Sequence, residues 1–213
     1  MGALLSQVIP LALGAAISPV LFLLTLTTLT GERPLVRGLA LTAGAAVPLA
    51  VLGAFAFAIS GSLHTSSTTR AGVDLALGVL LLLVGVRALL RAPPVPRPAD
   101  EPKPTAGPAR SFALGFGAMV TNVTTLALYL PAMKLIATSH VSDADRALAH
   151  VIVALIALAP AVLPVALVAV APHASRRVLG ALGRFMTAHR RAIPVVLGFG
   201  FGAWLIVKGL EAL

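Results

Sequence analysis

The sequence predicts an all-α polytopic membrane protein, with six transmembrane helices arranged as two inverted three-helix repeats. Three observations lead there. The mean hydropathy is +0.99, with 58% hydrophobic and only 11% charged residues, which excludes a soluble globule and a disordered chain alike. Six apolar stretches are long enough to cross a bilayer, whose ~30 Å hydrocarbon core takes ~20 helical residues. The last three stretches echo the first three.

In order, the stretches are Ala3–Leu29, Gly38–Ser60, Ala71–Leu90, Ser111–Ala137, Ala147–Ala171 and Ala192–Ala212. Between the third and fourth lies RAPPVPRPADEPKPTAGPAR, Arg91 to Arg110. It is too rich in proline and charge for a helix and reads as a polyproline-like, solvated linker. The chain therefore divides into a first repeat over residues 1–91, a linker over 92–110 and a second repeat over 111–213. Aligning Leu77-Gly78 with Leu197-Gly198 superposes the third stretch on the sixth. With two residues inserted, Thr121-Asn122-Val123 falls opposite Ser18-Pro19-Val20. An odd number of helices per half makes the repeat inverted, so the two central motifs meet from opposite sides of the membrane.

Sixteen Lys plus Arg against seven Asp plus Glu give a formal charge of +9. The basic residues sit at the ends of apolar spans, so they report topology and anionic headgroups, and no nucleic-acid partner is expected. Twelve of them follow spans one, three and five, and four lie on the other side. Positive-inside then puts both termini outside and the linker in the cytoplasm. The chain has no cysteine, hence no disulfide and no thiolate site. No basic residue precedes the first apolar run, which is too long for the core of a cleavable signal and is expected to stay as a helix. Abundant Ala, Leu, Gly, Val and Arg with only three Lys suggest a GC-rich bacterial gene, and so a bacterial plasma membrane.

The candidate site is the middle of span one, Gly14-Ala15-Ala16-Ile17-Ser18-Pro19. Pro19 has no N–H and crowds the carbonyl one turn back, so the carbonyls of Ala15 and Ala16 lose partners where lipid supplies none. Gly14, Ser18 and Thr25 fall near one side of the helix. A span interrupted at the midplane and lined by small and hydroxylated residues is how secondary transporters build a substrate site; a packing kink is the other reading of Pro19. Span four carries Asn122, with Gly115, Ala118, Thr125 and Tyr129 following its face at helical spacing. A carboxamide in hydrocarbon must face protein, water or substrate, so Asn122 either binds cargo or holds helices together. Its Asn-Val-Thr triplet matches a glycosylation sequon but lies within a membrane span.

Pro48 in span two and Pro160 with Pro164 in span five read as corresponding interruptions, either hinges or static kinks. Gly198, Gly200 and Gly202 in span six read as close-packing positions. Asp74 lies about a turn inside span three and Lys134 at similar depth in span four; they pair, or Lys134 snorkels to the interface. Both are candidates for coupling or gating. The five histidines fall in loops or at span ends without metal spacing, where a solvated interface accounts for them. No nucleophile set, carboxylate pair or nucleotide motif is evident, so neither an enzyme nor a cofactor nor a metal is expected.

Three plus three helices, the Pro break in span one, the central Asn122 and the pattern Leu77-Gly78…Gly85-x-Arg87 together resemble the LysE amino-acid exporter superfamily. Within it, the opening ALGAAISPVLFLLTLTTLTGERPLVRGLALTAGAAVPL is most similar to the GAP or Sap group, the peptidoglycolipid- and sulfolipid-addressing proteins. Amino-acid exporters carry Gly-Pro-Gly-Pro in helix one and Asn-Pro-Lys in helix four. This chain has Ile17-Ser18-Pro19 and Thr121-Asn122-Val123 instead. The resemblance implies help in moving a cell-envelope glycolipid or lipid precursor across the plasma membrane. Export of amino acids or another small amphipathic solute is the alternative. A third reading is a membrane scaffold, with lipid-synthesis proteins or a second copy of the chain as partner.

Overall fold

The structure, a computed structural model, describes residues 1–30, 32–60, 67–90, 107–189 and 192–211, and each apolar stretch is mainly helical there. These residues form nine helices: α1 Gly2–Ala16, α2 Pro19–Leu29, α3 Pro34–Ser60, α4 Ser67–Leu90, α5 Pro108–Val120, α6 Val123–Ala137, α7 Asp143–Val170, α8 Pro172–Ala188 and α9 Ala192–Glu211. Prolines at the starts of α2, α5 and α8 occupy first-turn positions, where a missing N–H costs nothing. The start of α7 is built differently. Ser142 accepts from the backbone N–H of Asp145 at 3.2 Å, with Asp143 and Asp145 in the first turn, each favourable beside the positive end of the helix dipole.

Among the described residues three helices are long and apolar enough to cross a membrane: α3 over Pro34–Phe57, α7 and α9. Two bent pairs, α1 with α2 and α5 with α6, turn by 55° and 69° and would bring the number to five. The expected third span is α4, whose apolar part among these residues is Gly78–Arg87. The described residues thus supply three to five of the six expected spans. The linker reading lies outside them over residues 91–106, while its last residues, Pro108 to Arg110, are helical and open α5. Asp74 is on α4, but its side chain is also outside them, so its pairing with Lys134, in the last turn of α6, is not addressed.

Two expectations are corrected. Span four is not continuous: it breaks at Thr121-Asn122, with no proline there. Helices α3 and α7 continue through Pro48, Pro160 and Pro164, with all three side chains buried. A single missing donor is tolerated when neighbouring helices enclose the gap. Finally, the segment after span five is no loop but helix α8. It buries Ser175, Leu179 and Gly183, leaves Val178, Leu182 and Phe185 exposed along a second stripe, and carries exposed Arg176, Arg177 and Arg184 on a third. That pattern suits a helix lying in the membrane interface.

Glycines set the closest contacts. A Cβ at Gly198 of α9 would come within 2.7 Å of the Gly85 Cα on α4, and one at Gly202 within 3.0 Å of the Gly78 carbonyl. Gly200, expected alongside them, has nothing within 4 Å. Between α3 and α5, Gly44 abuts the Phe112 carbonyl and Gly115 the Leu41 carbonyl, leaving no room for any side chain. Such small-residue contacts replace the hydrophobic driving force that lipid cancels. The helices meet in reciprocal pairs: α1 on α6 and α2 on α5, α1 on α7 and α3 on α5, α3 on α7, α4 on α9. Helices α3 and α7 run antiparallel, Gly38 at the start of α3 meeting Val165 late in α7, and Gly53 late in α3 meeting His150 early in α7.

Candidate functional site

The first break is a capping event. Ser18 leaves helical conformation (φ −116°, ψ 96°), and its hydroxyl accepts from the N–H of Leu21 at 3.3 Å, starting α2 one residue before Pro19. The Ala16 carbonyl is taken up locally by the N–H of Ser18 at 2.9 Å. The Ala15 carbonyl, freed by Pro19, is taken up from the other half of the chain: the Thr125 hydroxyl donates to it at 3.0 Å.

The second break reaches the same result by other means. Asn122 caps α6, its Oδ1 accepting from the Thr125 N–H at 3.3 Å. The Thr121 hydroxyl donates back to the Gly117 carbonyl at 2.8 Å. Short polar side chains offering the backbone local partners are what end a helix without proline. The remaining amide donor of this junction crosses to the first break, Asn122 Nδ2 donating to Ser18 Oγ at 2.7 Å. Two hydrogen bonds, Asn122 to Ser18 and Thr125 to Ala15, therefore tie the breaks together across more than 100 residues of chain. Ser18 and Thr125 are 4% and 1% exposed, and Asn122 is half-buried.

Of the other expected site residues, Pro19 is half-buried at the same junction. Thr25 is fully buried, but its hydroxyl donates to the Leu21 carbonyl of its own helix at 2.8 Å. Because span four breaks at Asn122, the expected stripe is divided: Gly115 and Ala118 belong to α5, Thr125 and Tyr129 to α6. Tyr129 points elsewhere. Its buried hydroxyl donates to the Leu49 carbonyl of α3 at 3.2 Å and lies 3.4 Å from Nδ1 of His150, the two rings edge to face.

That contact leads to residues which sequence reasoning passed over. His150 was expected at a solvated interface; it is half-buried on α7, two turns from its start, with Nδ1 also 3.1 Å from Met133 Sδ. Gly53 makes the room, since a Cβ there would overlap the imidazole. Beside it a cavity of about 380 Å³ opens between α3, α6 and α7, walled by alanines with Phe57 and Val151 and reached by Arg146 and His150. The signal was present as the i, i+4 spacing of Arg146 and His150, which puts both on one face of α7. No group of three or more metal-ligating side chains occurs among the described residues.

What converges at the crossing is hydroxyl, carboxamide and loosened carbonyl in apolar surroundings, a set suited to exchanging hydrogen bonds with a polar group held in the membrane. No curated protein and no solved structure matches the chain. A family model described as Sap, sulfolipid-1-addressing protein, matches residues 8–211. Apolar helices, two broken spans and this match over nearly the whole length make the chain a membrane protein of the Sap, sulfolipid-1-addressing protein, family.

Proposed function

We propose that the chain assists the translocation of a cell-envelope lipid or glycolipid across the plasma membrane, with the crossing of the two breaks as the station for the lipid's polar head. The observation that carries this reading is the mutual satisfaction of Ser18, Asn122, Thr125 and the Ala15 carbonyl. Interhelical hydrogen bonds in membranes are worth about 0.6 kcal/mol on average. A headgroup hydroxyl can therefore replace them nearly one for one, opening the junction at little cost. The family description, which speaks of addressing sulfolipid-1, supports a lipid as cargo.

An amino-acid zwitterion needs its ammonium and carboxylate both compensated, and the crossing residues bring no formal charge to do so. A lipid needs only its head accommodated there, while its chains stay in the bilayer. The reciprocal helix pairs support an inverted three-plus-three repeat of LysE type, and the loop charges support termini outside with the linker inside. On this reading the protein moves its cargo without making or breaking covalent bonds in it. The test is a deletion strain assayed in parallel for surface-extractable envelope lipid and for amino-acid efflux. Loss of surface lipid with unchanged efflux is expected; the opposite pattern would hand the function to small-solute export.

A further inference from the structure

The crossing is not the only place where polar groups face an apolar space. The cavity of about 380 Å³ at the Asp143 end of α7 is walled by Ala50, Ala54, Phe57 and Val151 and reached by two basic side chains, Arg146 and His150. Its volume falls within the range of small-molecule sites, and apolar walls with a few convergent polar groups are their usual make-up. Val151 and Phe57 are 50% and 45% exposed and lie on helices that meet the length and apolarity of a span. The cleft therefore opens sideways, toward where acyl chains would lie.

We propose that this cleft binds the head of an anionic lipid, Arg146 holding the anionic group beside His150 while the proximal acyl chain lies against Ala54, Phe57 and Val151. Charge complementarity commits the site to an anion. The Arg146 side chain is 21% exposed, and its Nη1 stands 3.4 Å from Asp143, whose side chain is 77% exposed and one turn away on the same helix. A sulfate or phosphate ester offers the guanidinium fork two oxygens at once, at a site partly removed from water. His150 is oriented by Tyr129 and Met133, so its ring is a fixed wall of the site and not a mobile surface group.

This inference rests on the lipid-handling reading for the class of ligand, and the orientation given by the loop charges places the cleft at the outer end. Equilibrium binding to purified protein keeps its test separate from export. The full chain, reconstituted in nanodiscs of phosphatidylcholine, is titrated with sulfatide and with galactosylceramide, which differ by one sulfate. Sulfatide is expected to bind about tenfold tighter or more, the value of one charged hydrogen-bonding contact. Arg146→Gln should erase that preference, Arg146→Lys should restore part of it, and Ala54→Phe, which fills the cleft, should weaken both lipids together. Should Arg146→Gln fail to fold, the lysine and phenylalanine variants decide. Equal binding of the two lipids by the unmodified protein, a preference that survives Arg146→Gln, undiminished binding of both lipids by Ala54→Phe, or equally good displacement of sulfatide by inorganic sulfate alone would each overturn the proposal. Lost preference in a variant that still exports lipid removes the cleft from transport and leaves the crossing untouched.

Discussion

The two broken spans bend by similar angles, 55° and 69°, yet they are written in different residues. In the first, proline removes a donor and the serine before it caps the next helix; in the second, no donor is missing, and threonine and asparagine draw the backbone out of the helix with their own side chains. The difference teaches that the two breaks are complementary. The proline break leaves a carbonyl in need of a donor, and the asparagine break supplies donors, one to that carbonyl through Thr125 and one to Ser18.

The comparison breaks most severely at Thr125. Thr125→Val keeps the shape and deletes the donor, leaving the Ala15 carbonyl buried and unpaired at a cost of about 1–3 kcal/mol. Unfolding of the purified protein in mixed micelles measures it. Pro19→Ala restores a backbone N–H to the same carbonyl, so in the double variant the loss should shrink well below that of Thr125→Val alone. Simple additivity of the two would contradict the complementary account. Next in size is Ser18→Ala, which removes a cap worth about 1 kcal/mol and the acceptor for Asn122; the same assay should show a smaller loss than for Thr125→Val. The smallest effect belongs to Thr25→Val, within about 0.5 kcal/mol and with export unchanged, because that hydroxyl serves only a carbonyl of its own helix. A clear export defect there would mean that Thr25 reaches the cargo after all.

Legibility in the sequence divides along the same line. The first break could be read because proline announces itself at Pro19. The second could not, because Asn122 in an apolar run looks the same whether it bonds across a helix interface or ends the helix. The pairing of Ser18 with Asn122 was approached through the weak repeat, but Thr125 as the partner of the Ala15 carbonyl needed coordinates. Pro48, Pro160 and Pro164 lie inside continuous helices, since a proline ends a helix only where the surroundings let the chain turn. Helix α8 was hidden by its arginines, which gave Pro172–Ala188 the look of a polar loop, although Ser175, Leu179 and Gly183 recur every fourth residue on its buried face. A span beginning at Ala147 puts His150 at its end; α7 starts a turn earlier at Asp143 and carries the imidazole inward.

The central claim is that the amide of Asn122 works on cargo and does not only hold α2 and α6 in place. Asn122→Ser removes the amide while keeping the cap, because a serine hydroxyl can still accept from the Thr125 N–H but lacks the Nδ2 donor that reaches Ser18. Asn122→Leu, which loses cap and bridge together, bounds the structural cost from above. The decisive measurement is surface lipid in a deletion strain complemented with Asn122→Ser, with membrane insertion and protein level checked against the unmodified chain. The account predicts normal insertion and surface lipid at the level of the deletion strain; full surface delivery by Asn122→Ser would contradict it.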